Sequence, residues 1–199
     1  MIDGHHSGEV PPHDGSGATR VVAAMRSAAD ALTGSCPGEL PDAALSELLL
    51  DLDAEWNRIQ AGRVALLGVW DARVAWAADG AQSGAGWVAA RTEQARGAVS
   101  GEIRVARGLR AMPLTEKAFL RGDLGYAKVR LLVDLAKDLP EAYGEHEAFL
   151  VEQVQTVRVD QVPIVLARWR AFFDTDGEEA RAARQHEQRS WHVSPLLDG

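Results

Sequence analysis

From Asp42 to Trp70 the chain places Leu45, Leu49, Leu52, Trp56, Ile59, Arg63, Leu66 and Trp70 at steps of three and four residues. A helix puts such positions on one side, whereas a strand would scatter them over both faces. Pro41 and Asp42 open the stretch, and the early acids Asp42, Glu47, Asp51, Asp53 and Glu55 complement the positive end of a helix dipole. Asp79-Gly80 is expected to end it, with Trp76 close to that end. Gly62 and Gly68 each weaken the helix or let a neighbouring backbone approach. A helix this long must pack against several others or against another chain, since most helical stability in a protein comes from packing an apolar face. Trp56, Trp70 and Trp76 are the expected core or interface anchors.

The remaining punctuation divides the chain into further helices. Met1 to Gly17, with its glycines, prolines and three histidines, reads as a mobile tail. A short helix is expected at about residues 19–32, with Val21, Val22, Met25, Ala29 and Leu32 on one side and Gly34-Ser35-Cys36-Pro37-Gly38 as its stop. Ser83 suits a helix cap ahead of Trp87, Val88 and Ala90. After a break near residues 92–94, a helix follows with Val99, Ile103, Ala106 and Leu109 on its apolar face, ending at Met112-Pro113. A short helix at 115–120 closes at Gly122, and others are expected at 125–139, 141–157 and 160–173, with Pro163 tolerated in a first turn. Residues 178–189 form a charged helix, and 190–197 alternate weakly, as a short β strand does. The expected fold class is therefore all-α: a tail over 1–17, a helical domain over 18–175, and a charged helix with the start of a linker over 176–199.

Composition excludes several classes of function. A single cysteine, Cys36, rules out an intrachain disulfide framework and a Cys-rich zinc site. His5, His6 and His13 lie in the tail, without the fixed geometry of a metal site. No phosphate-binding glycine loop follows a strand, and the carboxylates are scattered over helix surfaces. No catalytic residue, metal or small-molecule cofactor is expected, and the lack of an apolar run of about 20 residues argues against a membrane span. The tail has no basic start followed by an apolar core, which makes the cytoplasm the expected compartment.

Net charge is −8, which argues against indiscriminate nucleic-acid binding. The charge is uneven, however: residues 91–130 hold nine basic against four acidic side chains. Within them, residues 87–92, a tight break and residues 98–109 have the pattern of a helix-turn-helix, whose second helix would meet the major groove. Arg104, Arg107 and Arg110 fall three residues apart beside the apolar stripe, and Arg96 stands near the helix start. With Arg91, Lys117, Arg121 and Lys128 they form the candidate DNA-contacting set. The alternative is structural: arginines beside an apolar face cover core edges and pair with nearby carboxylates.

Several blocks recur in a known order: Asp79-Gly80, Ser83 with the run from Trp87 to Thr92, Arg104 to Leu109, Pro113 with Leu120 to Leu124, Asp176-Gly177 with Arg181 to Arg184, and Ser194 to Gly199. In these the chain resembles the actinobacterial domain of unknown function 222 over about residues 40–199. The resemblance implies a helical region of a kind found in mycobacterial repeat elements, typically followed by a C-terminal HNH endonuclease domain. Such a nuclease needs a general-base His and further ligands for one divalent ion. After Gly177 these residues offer only His186 and His192 and no cysteine, so hydrolysis is not expected of this chain. It also departs from the family pattern at Glu93-Gln94 in the turn, and at Gly97, Ser100, Gly101 and Glu102 in the next helix. The two glycines there cost ~2 kcal/mol of helix propensity relative to Ala.

The expectation is a non-catalytic helical module with double-stranded DNA as its partner, positioning a nuclease. The alternative is an interaction module that forms a homodimer through the long helix, with Trp56, Trp70 and Trp76 in the seam.

Overall fold

The structure, a computed structural model, describes residues 16–171. Those residues form eight α-helices and two 3-10 turns, with no strand among them. The fold is all-α. Of the tail expected over 1–17, residues up to 15 lie outside the described residues, as do the charged helix at 178–189 and the strand at 190–197, while Ser16 and Gly17 belong to the first helix. Two compact units divide at Leu49–Leu50.

The first unit contains α1 (Ser16–Thr33), a 3-10 turn at Pro37–Glu39 and the opening turns of α2 (Asp42–Ala72). Helix α1 ends where the Gly34 N–H donates to the Asp30 carbonyl at 2.9 Å and the Thr33 hydroxyl donates to the Ala29 carbonyl at 2.9 Å. Its apolar residues Val21, Val22, Met25 and Leu32 are exposed, and no residue from 17 to 49 is buried.

The second unit holds the rest of α2, a 3-10 turn at Ala75–Asp79, and α3 (Gly84–Ala89), α4 (Arg96–Leu109), α5 (Pro113–Arg121), α6 (Tyr126–Asp138), α7 (Pro140–Thr156) and α8 (Val162–Arg170). Local chemistry sets most of the ends. The Ser83 hydroxyl accepts from the Gly86 N–H at 3.1 Å and so caps α3. Pro113, Pro140 and Pro163 sit in the first turns of α5, α7 and α8, where a missing N–H costs nothing. Gly122, at φ 85°, closes α5: its N–H bonds the Phe119 carbonyl at 3.0 Å and the Asp123 N–H bonds Ala118 at 2.9 Å. These are the two bonds of a Schellman cap, and the fully buried Leu124 pins it to the core.

The end of α2 differs from the expectation. The helix stops at Ala72 rather than at Asp79-Gly80, because Val74 takes a left-handed φ of 53° and redirects the chain. A β-branched residue there is strained by about 1–3 kcal/mol. The turn it makes brings Trp76 onto Gly84, where an added Cβ would come 3.1 Å from both Trp70 and Trp76. Packing of the half-buried Trp70 and Trp76 on Gly84 offsets the strain.

The core has two clusters. The larger is built from α4 to α8 around Phe119, Leu124, Leu132, Leu150 and Val154, and reaches Ala61 and Val64 of α2. The smaller joins Leu67, Ala85, Val88, Val99 and Ile103, with Trp70 and Trp87 against it. Helix α4 is common to both, contributing Val99 and Ile103 to one and Val105, Ala106 and Leu109 to the other. It passes α6 so closely that a Cβ on Gly108 would lie 2.6 Å from Val133 Cγ1.

Candidate interaction surfaces

Burial of α4 on two sides leaves one polar strip, along which Arg96, Ser100, Arg104 and Arg107 are exposed. Their spacing of three and four residues keeps them on one line. With Ser83, Gly84, Ala85 and Ile103 they line a shallow cleft of about 290 Å³ that has no acidic residue in its wall. Arg104 and Arg107 also border a second cleft of about 350 Å³ against α6, which contains Asp134 and Lys137.

The arginines are largely engaged. Arg107 donates through Nε and Nη2 to the two oxygens of Asp71, at 2.8 and 2.9 Å. Asp71, on α2, is 6 % exposed. Its carboxyl is held below the usual carboxylate range chiefly by the hydrogen bond from Arg107, against the opposing effect of burial, with the Arg107 and Arg110 charges adding to the pull. The buried indole N–H of Trp76 makes no hydrogen bond of normal geometry, yet lies near enough to favour the charged carboxylate slightly. Reciprocally, the bond to Asp71 raises the pKa of Arg107. Arg110 donates to the Gly68 carbonyl at 3.0 Å and lies 3.8 Å from Asp71. Thus two arginines of the row fasten α4 to α2.

The other candidates divide the same way. Arg104 pairs with Asp134 at 3.5 Å. Arg91 stacks over Trp87, 4.4 Å from the ring centroid, and both donate to Asp79, the indole at 2.6 Å and the guanidinium at 3.3 Å. Arg121 bonds Asp123 two residues on. Lys128 donates to the Val154 and Gln155 carbonyls at 2.7 and 3.3 Å, closing the C-terminal end of α7, and burial of its ammonium lowers its pKa. Arg96 and Lys117 make no ion pair with any described residue. Six of the eight sequence-derived cations therefore spend charge inside the chain.

The three tryptophans separate. Trp70 packs on Trp87 with centroids 5.1 Å apart, and Trp76 lies against Gly84, both within the second unit. Trp56 stands 64 % exposed. The side of α2 that meets the core is not the one carrying its largest apolar residues: it presents Ala61, Val64, Leu67 and Asp71. Gly68 keeps the approach to α4 close, since a Cβ there would already be 3.3 Å from Ala106. Trp56, Ile59 and Leu66 are left in solvent, Leu66 at 70 % exposure. Arg63, between them, turns toward α4, bonding Glu102 and, at 2.7 Å, Gln94.

Two acids escaped the sequence reading. Asp71 was detectable as a carboxylate following Val64 and Leu67 at helical spacing. Glu147 falls in the α7 stripe of Tyr143, Leu150, Val151 and Val154. It accepts from the Thr115 N–H at 2.8 Å and the Thr115 hydroxyl at 2.9 Å, capping the start of α5 from another helix. The Thr115 and Tyr143 hydroxyls are 2.7 Å apart, and burial pushes the Tyr143 phenol well above its ordinary pKa. The network is enclosed, which suits a core tie rather than a reactive site.

A family model described as a domain of unknown function, DUF222, matches residues 46–199. The chain belongs to the DUF222 family. No curated protein and no solved structure matches it. Among the described residues of this DUF222 chain there is no cluster of metal-ligating side chains, and no helix is long and apolar enough to cross a membrane.

Proposed function

We propose that this DUF222 chain is a non-catalytic helical module that works by docking a helical protein partner on the outer face of α2. The observation that carries this reading is the exposure of Trp56, Ile59 and Leu66 along one helix, away from the face that meets the core. Exposed large apolar residues in a row favour a protein contact, and tryptophan is the residue most enriched among contacts that dominate binding energy. The internal pairing of six candidate cations weakens the competing electrostatic reading.

The second reading is association with double-stranded DNA in the cytoplasm, beside the HNH nuclease that the family resemblance implies. It is favoured by the cleft in which Arg96, Arg104 and Arg107 converge without an acid in the wall. Site-specific photo-crosslinking in cells separates the two. A photoreactive residue replacing Trp56 is expected to give protein adducts, with a replacement at exposed Glu145 as the blank. Nucleic-acid adducts from position 104, with none of protein from position 56, would replace the first reading by the second. No adduct from either position beyond the blank overturns both.

A further inference from the structure

We propose that the groove between α2, α4 and α5 binds a small zwitterion with an apolar branch, of the chemistry of free leucine. The site is separate from the docking face above: it lies on the side of α2 that carries Ala61, Ala65 and Ala72, not on the one that carries Trp56 and Ile59. The groove has a volume of about 270 Å³. Small-molecule sites run from about 300 Å³ upward, so a groove of this size suits a ligand of about ten heavy atoms rather than a nucleotide. Buried Val64, Leu109 and Phe119 form its floor, and exposed Val69 and Leu120 form its lips.

Two charges in the walls select the ligand. Arg73, just past the C-terminal end of α2, is exposed, and Glu116, in the first turn of α5, is half-buried. Neither makes an ion pair with any described residue, nor do they pair with each other across the groove. The remaining ionic residue of the wall, Arg110, is engaged: it donates to the Gly68 carbonyl at 3.0 Å and lies 3.8 Å from Asp71. A carboxylate fits the Arg73 guanidinium through parallel hydrogen bonds, and an ammonium fits the Glu116 carboxylate. A ligand of one sign answers only one wall. A molecule that carries both charges on one carbon answers both, and lays its side chain on Val69 and Leu120. The other clefts lack this combination: beside α6 the acid, Asp134, is already paired with Arg104, and the cleft between α3 and α4 has no acid in its wall.

Ligand-observed NMR on the full 199-residue chain tests the site with L-leucine and its two half-ligands. Leucine is expected to bind saturably. Isocaproate, which lacks the ammonium, and isoamylamine, which lacks the carboxylate, should each bind about tenfold more weakly. Arg73→Gln should weaken leucine about tenfold and leave isoamylamine unchanged, a pattern that a misfolded groove cannot give because it would lose both. Glu116 also favours the start of α5 through the helix dipole, so the isocaproate comparison reads its contact without altering the protein. Isocaproate binding as tightly as leucine overturns the zwitterion. Leucine binding that survives Arg73→Gln undiminished overturns the placement in this groove. Absence of saturable leucine binding removes the proposal, and protein adducts from a photoreactive residue at Leu120 would then assign the groove to a protein partner, leaving the docking reading standing.

Discussion

Helices α2 and α4 use apolar residues in opposite ways. Helix α4 has 14 residues and buries five of them, on two sides; α2 has 31 and buries four, all between Ala61 and Asp71. The residues that α2 buries include an alanine and a carboxylate, while a tryptophan and a leucine stay outside. Hydrophobicity along a helix therefore does not fix which face becomes core. Where the helix crosses its neighbour matters as well: a Cβ on Gly68 would lie 3.3 Å from the Cβ of Ala106, so that one position of α2 stays small while Val64 and Leu67 pack beside it.

The comparison is most exposed to a matched pair of truncations. Leu109→Ala, in α4, removes a side chain that is 4 % exposed, and is expected to cost about 3 kcal/mol in denaturant unfolding. Leu66→Ala, in α2, removes one that is 70 % exposed, and should shift the isolated chain's stability by less than about 0.5 kcal/mol. Measured at a concentration low enough to keep the chain monomeric, equal losses would break the contrast. A loss at Leu66 that appears only at high concentration would sharpen it, because burial would then come from association.

A smaller effect comes from adding one methyl group to each helix. Gly108→Ala must displace Val133 or part α4 from α6, at a cost of about 2 kcal/mol. Gly62→Ala in α2 meets nothing within 4 Å and should stabilise by about 1 kcal/mol through helix propensity. Opposite signs in thermal melts support the contrast; a destabilising Gly62→Ala would mean that this side of α2 is already covered.

How much of this was legible depended on the range of the interaction. Ser83, Pro113, Gly122 and Pro163 act within a few residues of themselves, and their helix ends could be read directly from the sequence. The apolar pattern of α2 was equally visible, but its relation to the core was not, since that depends on where α4 passes Gly68. Val74 hid the end of the helix because its conformation is held by the packing of Trp76 and Gly84 rather than by its own preference. The spacing of Arg104, Arg107 and Arg110 was legible, whereas the carboxylate that engages two of them lies 36 residues before Arg107. A row of arginines reads as a nucleic-acid surface until its acids are located in space.

The Asp71–Arg107 tie joins the two helices and gives a smaller effect than either core substitution in α4, with a pH dependence of definite sign. Asp71→Asn keeps the shape but loses the charge, and should cost about 1 kcal/mol near neutral pH. The cost is modest because Arg107 remains 60 % exposed and can be solvated when released. The folded-state pKa of Asp71 lies below its ordinary value of 3.8. Protons therefore bind the unfolded chain first, so the stabilisation is complete above that ordinary value and is lost as pH falls through the depressed one. Wild type and Asp71→Asn should differ by a constant amount from neutral pH down to about pH 5 and converge below the ordinary carboxylate range. If the difference instead persisted unchanged in strong acid, the tie would owe nothing to charge, and α2 and α4 would be held at that point by shape alone.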